Sequence, residues 1–284
     1  MEKIKKRNIF VRFFCAIGRG IKKFFMYLIY ILVFPFVKLS TRCKVVGKEN
    51  VCKEDEARVF LANHYEIFGP VAMFMNFPYK SRIWIIDKMM DEESVEKQMG
   101  LMVYANFKCI PRWFKTFVLK IVKSLVVFVF KHIKGIPISR ENLRANLKTM
   151  ELSSNLMEQG TSIILMPELD YVSEGVGEFQ TGFEYLAKLH YKKTGKKVKF
   201  FPVFISQVDK KIYIEKPITY NPDNDPNEEK QKIITYVHDE MVKSYITHEV
   251  ENPSKKMIKH REKIKKKQEK QIKKENKKQN KNQQ

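Results

Sequence analysis

Arg58-Val59-Phe60-Leu61-Ala62-Asn63-His64 (RVFLANH) decides what kind of fold this chain adopts. Four apolar residues follow Arg58 without a break, and the run then stops at two polar ones. A run this short and this uniformly apolar suits a strand covered on both faces better than a helix. It therefore predicts a buried strand that delivers a histidine to its carboxyl end. Runs of the same kind recur at Ile83–Ile86 (IWII), Ile136–Ser139 (IPIS), Ser162–Met166 (SIILM), Val198–Ser206 (VKFFPVFIS) and Lys211–Ile218. Helical stretches are expected between them. They are Phe114–Lys134 ended by Gly135, Glu141–Glu158 stopped by Gly160, Phe179–Tyr191, and Glu228–Val250 after the turn cluster NPDNDPN. This alternation predicts an α/β domain over residues 44–250, with a largely parallel sheet flanked by helices. In such sheets ligands meet the carboxyl ends of the strands.

Outside that domain the composition changes. The chain has 284 residues, 44% of them apolar, and a formal charge of +22. Residues 1–50 carry twelve Lys or Arg against Glu2 and Glu49, and residues 255–284 carry fourteen against Glu262, Glu269 and Glu275. The middle is nearly neutral, so the basic ends are the parts drawn to a polyanion, either nucleic acid or an anionic membrane. Phe24–Val37 (FFMYLIYILVFPFV) separates the two, because its fourteen uncharged residues lie between Arg19, Lys22 and Lys23 on one side and Lys38 and Arg42 on the other. A nucleic-acid arm has no use for such a segment, and no nucleic acid is expected as a partner. Fourteen helical residues reach roughly 21 Å, short of a hydrocarbon core of about 30 Å, and Pro35 would kink the end.

Residues 1–43 are accordingly expected to form a membrane-associated helical anchor, monotopic or a single N-terminal span, on the cytoplasmic face of the cell membrane. Phe10, Phe13, Phe14 and Ile17 at helical spacing suit a helix lying in the interface. No small-residue cleavage site follows, so the segment is read as retained. Residues 251–284, rich in Lys, Gln and Asn, are expected to be a disordered basic tail or a solvated helix. Cys15, Cys43, Cys52 and Cys109 have neither CxxC spacing nor paired histidines, so no zinc site or disulfide framework is indicated. His132, His190, His238 and His248 belong to no pattern and read as surface or packing residues.

The strand ends carry the chemistry. Asn63-His64 leaves the first strand, Gly135-Ile136-Pro137-Ile138-Ser139-Arg140 ends another, Met166-Pro167-Glu168 a third, and Phe201-Pro202-Val203 lies in a fourth. In order and spacing these resemble the four sequence blocks of the glycerolipid acyltransferases, the lysophospholipid acyltransferases similar to 1-acyl-sn-glycerol-3-phosphate acyltransferase. Gly177-Glu178-Phe179-Gln180-Thr181-Gly182 also looks like the family's segment after the third block. Each block alone is weak, and four in order are strong.

The resemblance implies transfer of a fatty acyl group from acyl carrier protein or coenzyme A to a hydroxyl of a lysophospholipid-like acceptor, in membrane phospholipid synthesis. No cofactor or metal is implied beyond that thioester co-substrate. His64 would be the base and Glu168 would organise the site or bind the acceptor. Asn63, Arg140, Asp170 and Pro202 would surround the substrate, with Arg140 as the ligand of an anion. From Lys108 to Lys148 there are ten Lys or Arg and one acid, Glu141, a setting that suits a phosphate or an acidic carrier. The family's aspartate, five residues after the histidine, falls on Gly69, and its Gly-Thr-Arg falls on Leu169-Asp170-Tyr171. Glu66 and Asp170 are the carboxylates that could stand in beside the imidazole. A membrane-bound relative that keeps the fold and lipid groove without transfer activity is the alternative.

Overall fold

The computed structural model describes residues 20–21, 24–51, 56–65, 68–106, 111–139, 141–169 and 175–266, with the backbone alone at 98 and 101–106. Its elements, in chain order, begin with helix α1 (residues 24–40), β1 (Lys44–Val46), β2 (Ala57–Ala62), α2 (Phe68–Asn76), β3 (Ser81–Ile86), α3 (Glu92–Asn106), α4 (Arg112–His132) and β4 (Ile136–Ile138). There follow α5 (Leu143–Glu158), β5 (Ser162–Leu165), α6 (Tyr185–Thr194), β6 (Val198–Ser206), β7 (Lys211–Ile214), β8 (Ile218–Thr219), α7 (Pro226–Tyr245) and α8 (residues 255–266). The elements fall into two compact units. The first takes the described residues up to Thr41 together with Lys80–Leu165, and the second takes Arg42–Tyr79 together with the described residues from Met166 onward.

The second unit is built on β2 and β6, paired in parallel from Ala57↔Val198 to Ala62↔Val203. Every β2 residue except Arg58 is buried, and Phe60, Phe200, Phe201 and Phe204 are fully enclosed. Alternation sorts these rings to opposite faces. Phe201 stacks on Phe60 at 4.8 Å, and Phe60 meets Phe77 at 4.7 Å. On the other face Phe200 meets Phe183 of the segment before α6, and Phe204 meets Tyr245 of α7. Helix α7 starts on Pro226 with Asp225 as its cap, accepting from Asn227 N at 2.8 Å. It buries Ile233, Val237 and Met241, a stripe at four-residue spacing. Strand β1 pairs in parallel with β7, while β7 and β8 run antiparallel to β6.

In the first unit β3 lies between β5 and β4, parallel to both. Trp84 Nε1 donates to Ser153 Oγ of α5 at 2.9 Å, and Arg82 donates to the Ile133 carbonyl at 2.8 Å. Helix α1 rests its Tyr30 on Phe128 and His132 of α4. Lys123 of α4 pairs with Glu96 of α3.

The largely parallel α/β sheet is as expected, and several boundaries are not. The run over 211–218 splits into β7 and β8. Pro202 sits at the break: its carbonyl accepts from Glu215 N at 2.9 Å, so its missing N–H faces the same gap between the two antiparallel partners. Phe179 is not helical. It forms an isolated bridge opposite Glu168, and the helix begins only at Tyr185. The expected helix to Val250 ends at Tyr245 and continues as a π-helical segment, Ile246–Glu251.

Residues 255–266 take the helical of the two forms expected for the tail, with Met257 buried. Helix α1 runs through Pro35 to residue 40. No helix among the described residues is long and apolar enough to cross a membrane.

Candidate active site

Asn63 is the first polar residue after β2, and it is 1% exposed. A buried primary amide is tolerated only if its donors and acceptor are used. Here it continues the ladder with its side chain: Ile205 N donates to Asn63 Oδ1 at 2.7 Å, and Asn63 Nδ2 donates to the Ile205 carbonyl at 3.2 Å. The strand end is thereby fixed to β6 one residue before His64. The first unit finishes β4 in the same way. Ser139 N donates to Asn146 Oδ1 at 2.9 Å, and Asn146 Nδ2 donates to the Ser139 carbonyl at 2.7 Å. Ser139 is the residue before Arg140.

His64 is half-buried, and its backbone N–H donates to Glu168 Oε2 at 2.6 Å. Glu168 is buried, and its other oxygen, Oε1, accepts from Gly177 N at 2.9 Å. Both oxygens of one carboxylate thus hold the backbone of two loops, through charge-assisted bonds roughly twice as strong as neutral ones. The segment that presents Glu168 is itself paired, with Leu169 N donating to the Glu178 carbonyl at 2.8 Å and Gln180 N to the Pro167 carbonyl at 2.6 Å. In this geometry Glu168 sets where His64 sits.

After His64 the chain turns sharply. Tyr65 has φ 40, a left-handed backbone that costs a non-glycine residue on the order of 1–3 kcal/mol unless its surroundings impose it. The Tyr65 carbonyl accepts from Phe68 N at 3.0 Å, opening α2, and the Lys210 ammonium stands 4.1 Å from the Phe68 ring centroid. Gly69 then packs against the turn it has just left. A Cβ there would lie 2.0 Å from the His64 carbonyl oxygen and 2.9 Å from that of Asn63. No side chain, and so no aspartate, fits at 69 while the His64 backbone holds this path.

The structure therefore brings Asn63, His64 and Glu168 together by direct hydrogen bonds. It places Pro202 beside Leu61 in the β2–β6 register as a buried strand residue. Glu66, Arg140 and Asp170 lie outside the described residues. The Gly177 N–H, the Tyr65 turn and the packing at Gly69 were not read as parts of the site. Gly177 heads the stretch that resembles the family's segment after the third block, which was the one signal available for it.

No family model matches the chain, and no curated protein matches it. Among solved structures it is similar to the 1-acyl-sn-glycerophosphate (LPA) acyltransferase PlsC from Thermotoga maritima, with 15% identity over 81% of this chain and 87% of that one and a TM-score of 0.42. At that level the likeness carries no argument about the site, whose reading rests on this chain's own residues.

Proposed function

We propose that the chain is a membrane-surface acyltransferase that moves a fatty acyl group from an acyl carrier protein or coenzyme A thioester to a hydroxyl of a lysophospholipid-like acceptor, in membrane phospholipid synthesis. One observation carries the reading: a histidine at the carboxyl end of a buried parallel strand, with its backbone N–H held at 2.6 Å by the buried Glu168 of a second motif. A base must be placed within hydrogen-bond reach of the proton it takes, and fixing the backbone on both sides of His64 is how a fold secures that.

The His64 imidazole takes the acceptor's hydroxyl proton as the oxygen attacks the thioester carbonyl. The tetrahedral intermediate collapses, the C–S bond breaks, and the imidazolium returns the proton to the departing thiolate. Ester and thiol are the products, and the balance requires no redox partner or metal. Arg140 is proposed as the cation for an acceptor phosphate. Glu66 or Asp170 is proposed as the carboxylate that steadies the imidazolium.

Labelled acyl donors offered with a panel of lysolipids to the vesicle-bound protein test this. His64→Ala should lower transfer by about 10³, the scale of a lost general base. A second reading is favoured by Gly69, which leaves no room for the family's aspartate. On that reading the protein binds lipid without transferring acyl groups, and the wild type would bind vesicles while acylating no acceptor.

A further inference from the structure

Glu249 stands on the π-helical segment Ile246–Glu251, a rare winding that is frequently found at functional sites. It is 4% exposed. Oε1 is buried with no hydrogen-bond partner, and Oε2 accepts from the Tyr65 hydroxyl at 3.5 Å. A buried carboxyl with an unused oxygen is costly, and native proteins keep few of them. Burial pushes this carboxyl above its usual range and nearby Asp209 adds to that, while a hydrogen bond to Ser206, the Arg261 charge and the Tyr65 hydroxyl act the other way. The carboxyl's polar neighbours are the Ser206 hydroxyl at the end of β6 and the Tyr65 hydroxyl, and the second of these reaches the turn that carries His64.

Tyr65 adjoins His64 and holds the left-handed turn. The turn is pinned through the Asn63 side chain, the His64 N–H and the Tyr65 carbonyl. Glu249 adds a pin on the Tyr65 ring, from a segment 184 residues away in sequence.

We propose that Tyr65 and Glu249 form a positioning pair for His64: the Glu249 carboxyl holds the Tyr65 hydroxyl, and through it the turn that sets the direction in which His64 leaves β2. The proposal rests on the reading of His64 as the base. Neither residue touches the reacting atoms. Loss of the pair therefore lowers the rate of the chemical step while leaving binding of either substrate alone.

Tyr65→Phe, Glu249→Leu, the double variant and Glu249→Gln are compared with the wild type in the full chain bound to vesicles. Each of the first two should lower kcat by about fivefold with KM within about twofold, the size expected for one lost hydrogen bond. The double variant should be no worse than the worse single. Glu249→Gln, whose amide oxygen still accepts, should retain most of the rate. An unchanged kcat in Tyr65→Phe, or losses that multiply in the double variant, overturns the proposal, and Tyr65→Phe decides it even if Glu249→Leu fails to fold. Where the wild type transfers no acyl group, the reading of His64 as a base fails and a second readout decides the positioning. Ethoxyformylation of His64 by diethyl pyrocarbonate, followed by peptide mass spectrometry, should quicken in Tyr65→Phe with His238 and His260 as unchanged references. An unchanged rate at His64 overturns the pair.

Discussion

The turn around His64 and the helix pair α1–α4 are built from opposite materials. In the second unit the strand aromatics Phe60, Phe200, Phe201 and Phe204 are enclosed, and the described backbone around His64 is tied down by buried polar groups: Asn63 to Ile205, Glu168 to His64 and Gly177. In the first unit aromatic and aliphatic side chains are left uncovered, with Phe24 67%, Phe36 75% and Trp113 73% exposed, beside Phe25, Leu32, Leu39 and Phe117. Among the described residues, Tyr27, Tyr30 and Phe34 of α1 form ring contacts, two of those rings meeting α4. A chain that encloses Phe60, Phe200, Phe201 and Phe204 completely has the means to bury aromatics. The ones it leaves out form an exposed apolar surface on α1 and α4, the part of the chain to which the proposed function assigns lipid contact. One region is specified by satisfying polar groups, the other by withholding cover from apolar ones.

The comparison breaks first if Glu168 proves dispensable. Glu168→Leu would strand the His64 and Gly177 N–H groups, and we expect a loss of roughly 3 kcal/mol in chemical denaturation together with transfer below detection. Gly69→Asp sharpens it next. Were the chain simply a family member lacking a carboxylate, this change would raise the rate. The contact at 2.0 Å instead predicts that it lowers stability by about 2 kcal/mol and restores nothing, read by the same two assays.

On the other side of the comparison, Phe24→Ser with Phe36→Ser and Trp113→Ser should cut partition into anionic vesicles by at least about a hundredfold, since each ring is worth roughly 1–2 kcal/mol of apolar transfer. The melting temperature should barely move, because these side chains are mostly exposed, and a large drop would mean they belong to the protein's own core. The smallest effect concerns pH. Glu249 has its carboxyl raised in the fold, so ionisation opposes folding. The cost is absent below the ordinary carboxylate range and grows as pH rises toward the raised value. Glu249→Gln should therefore gain more in melting temperature over the wild type at pH 8 than at pH 4, and an equal gain at both would remove the burial argument.

Much of the architecture was legible. Val198–Ser206 was read to the residue and β2 to within one, because runs this rich in aromatic and aliphatic residues, each with a single charge near its start, leave few alternatives. Helix α2 went unread because FGPVAMFMN carries Gly69 and Pro70 in its first turn, and α3 because EESVEKQMG shows little apolar periodicity. Phe179 was assigned to a helix because a run rich in Leu, Ala and Lys follows it, whereas its place was set by pairing with Glu168. Of the site, Asn63, His64 and Glu168 were identified as residues without their bonds. Tyr65 and Glu249 gave no signal, since neither belongs to a pattern that a single sequence displays.

By itself the sequence determined most of the strands, the mainly parallel character of the sheet, the histidine at the end of β2 and the apolar segment between basic flanks, while β1 (Lys44–Val46) and the division of β7 from β8 went unread. Periodicity and charge are local properties, written in consecutive residues. Only the tertiary structure decided that Glu168 would spend both oxygens on backbone N–H groups, that Gly69 would lie against the His64 carbonyl, and that Glu249 would reach Tyr65. Two of those outcomes join segments more than a hundred residues apart, Glu168 to His64 and Glu249 to Tyr65, and the others depend on the exact path of a turn or loop that no periodicity records; packing fixes both, because each buried polar group must find its partner in the space the core leaves.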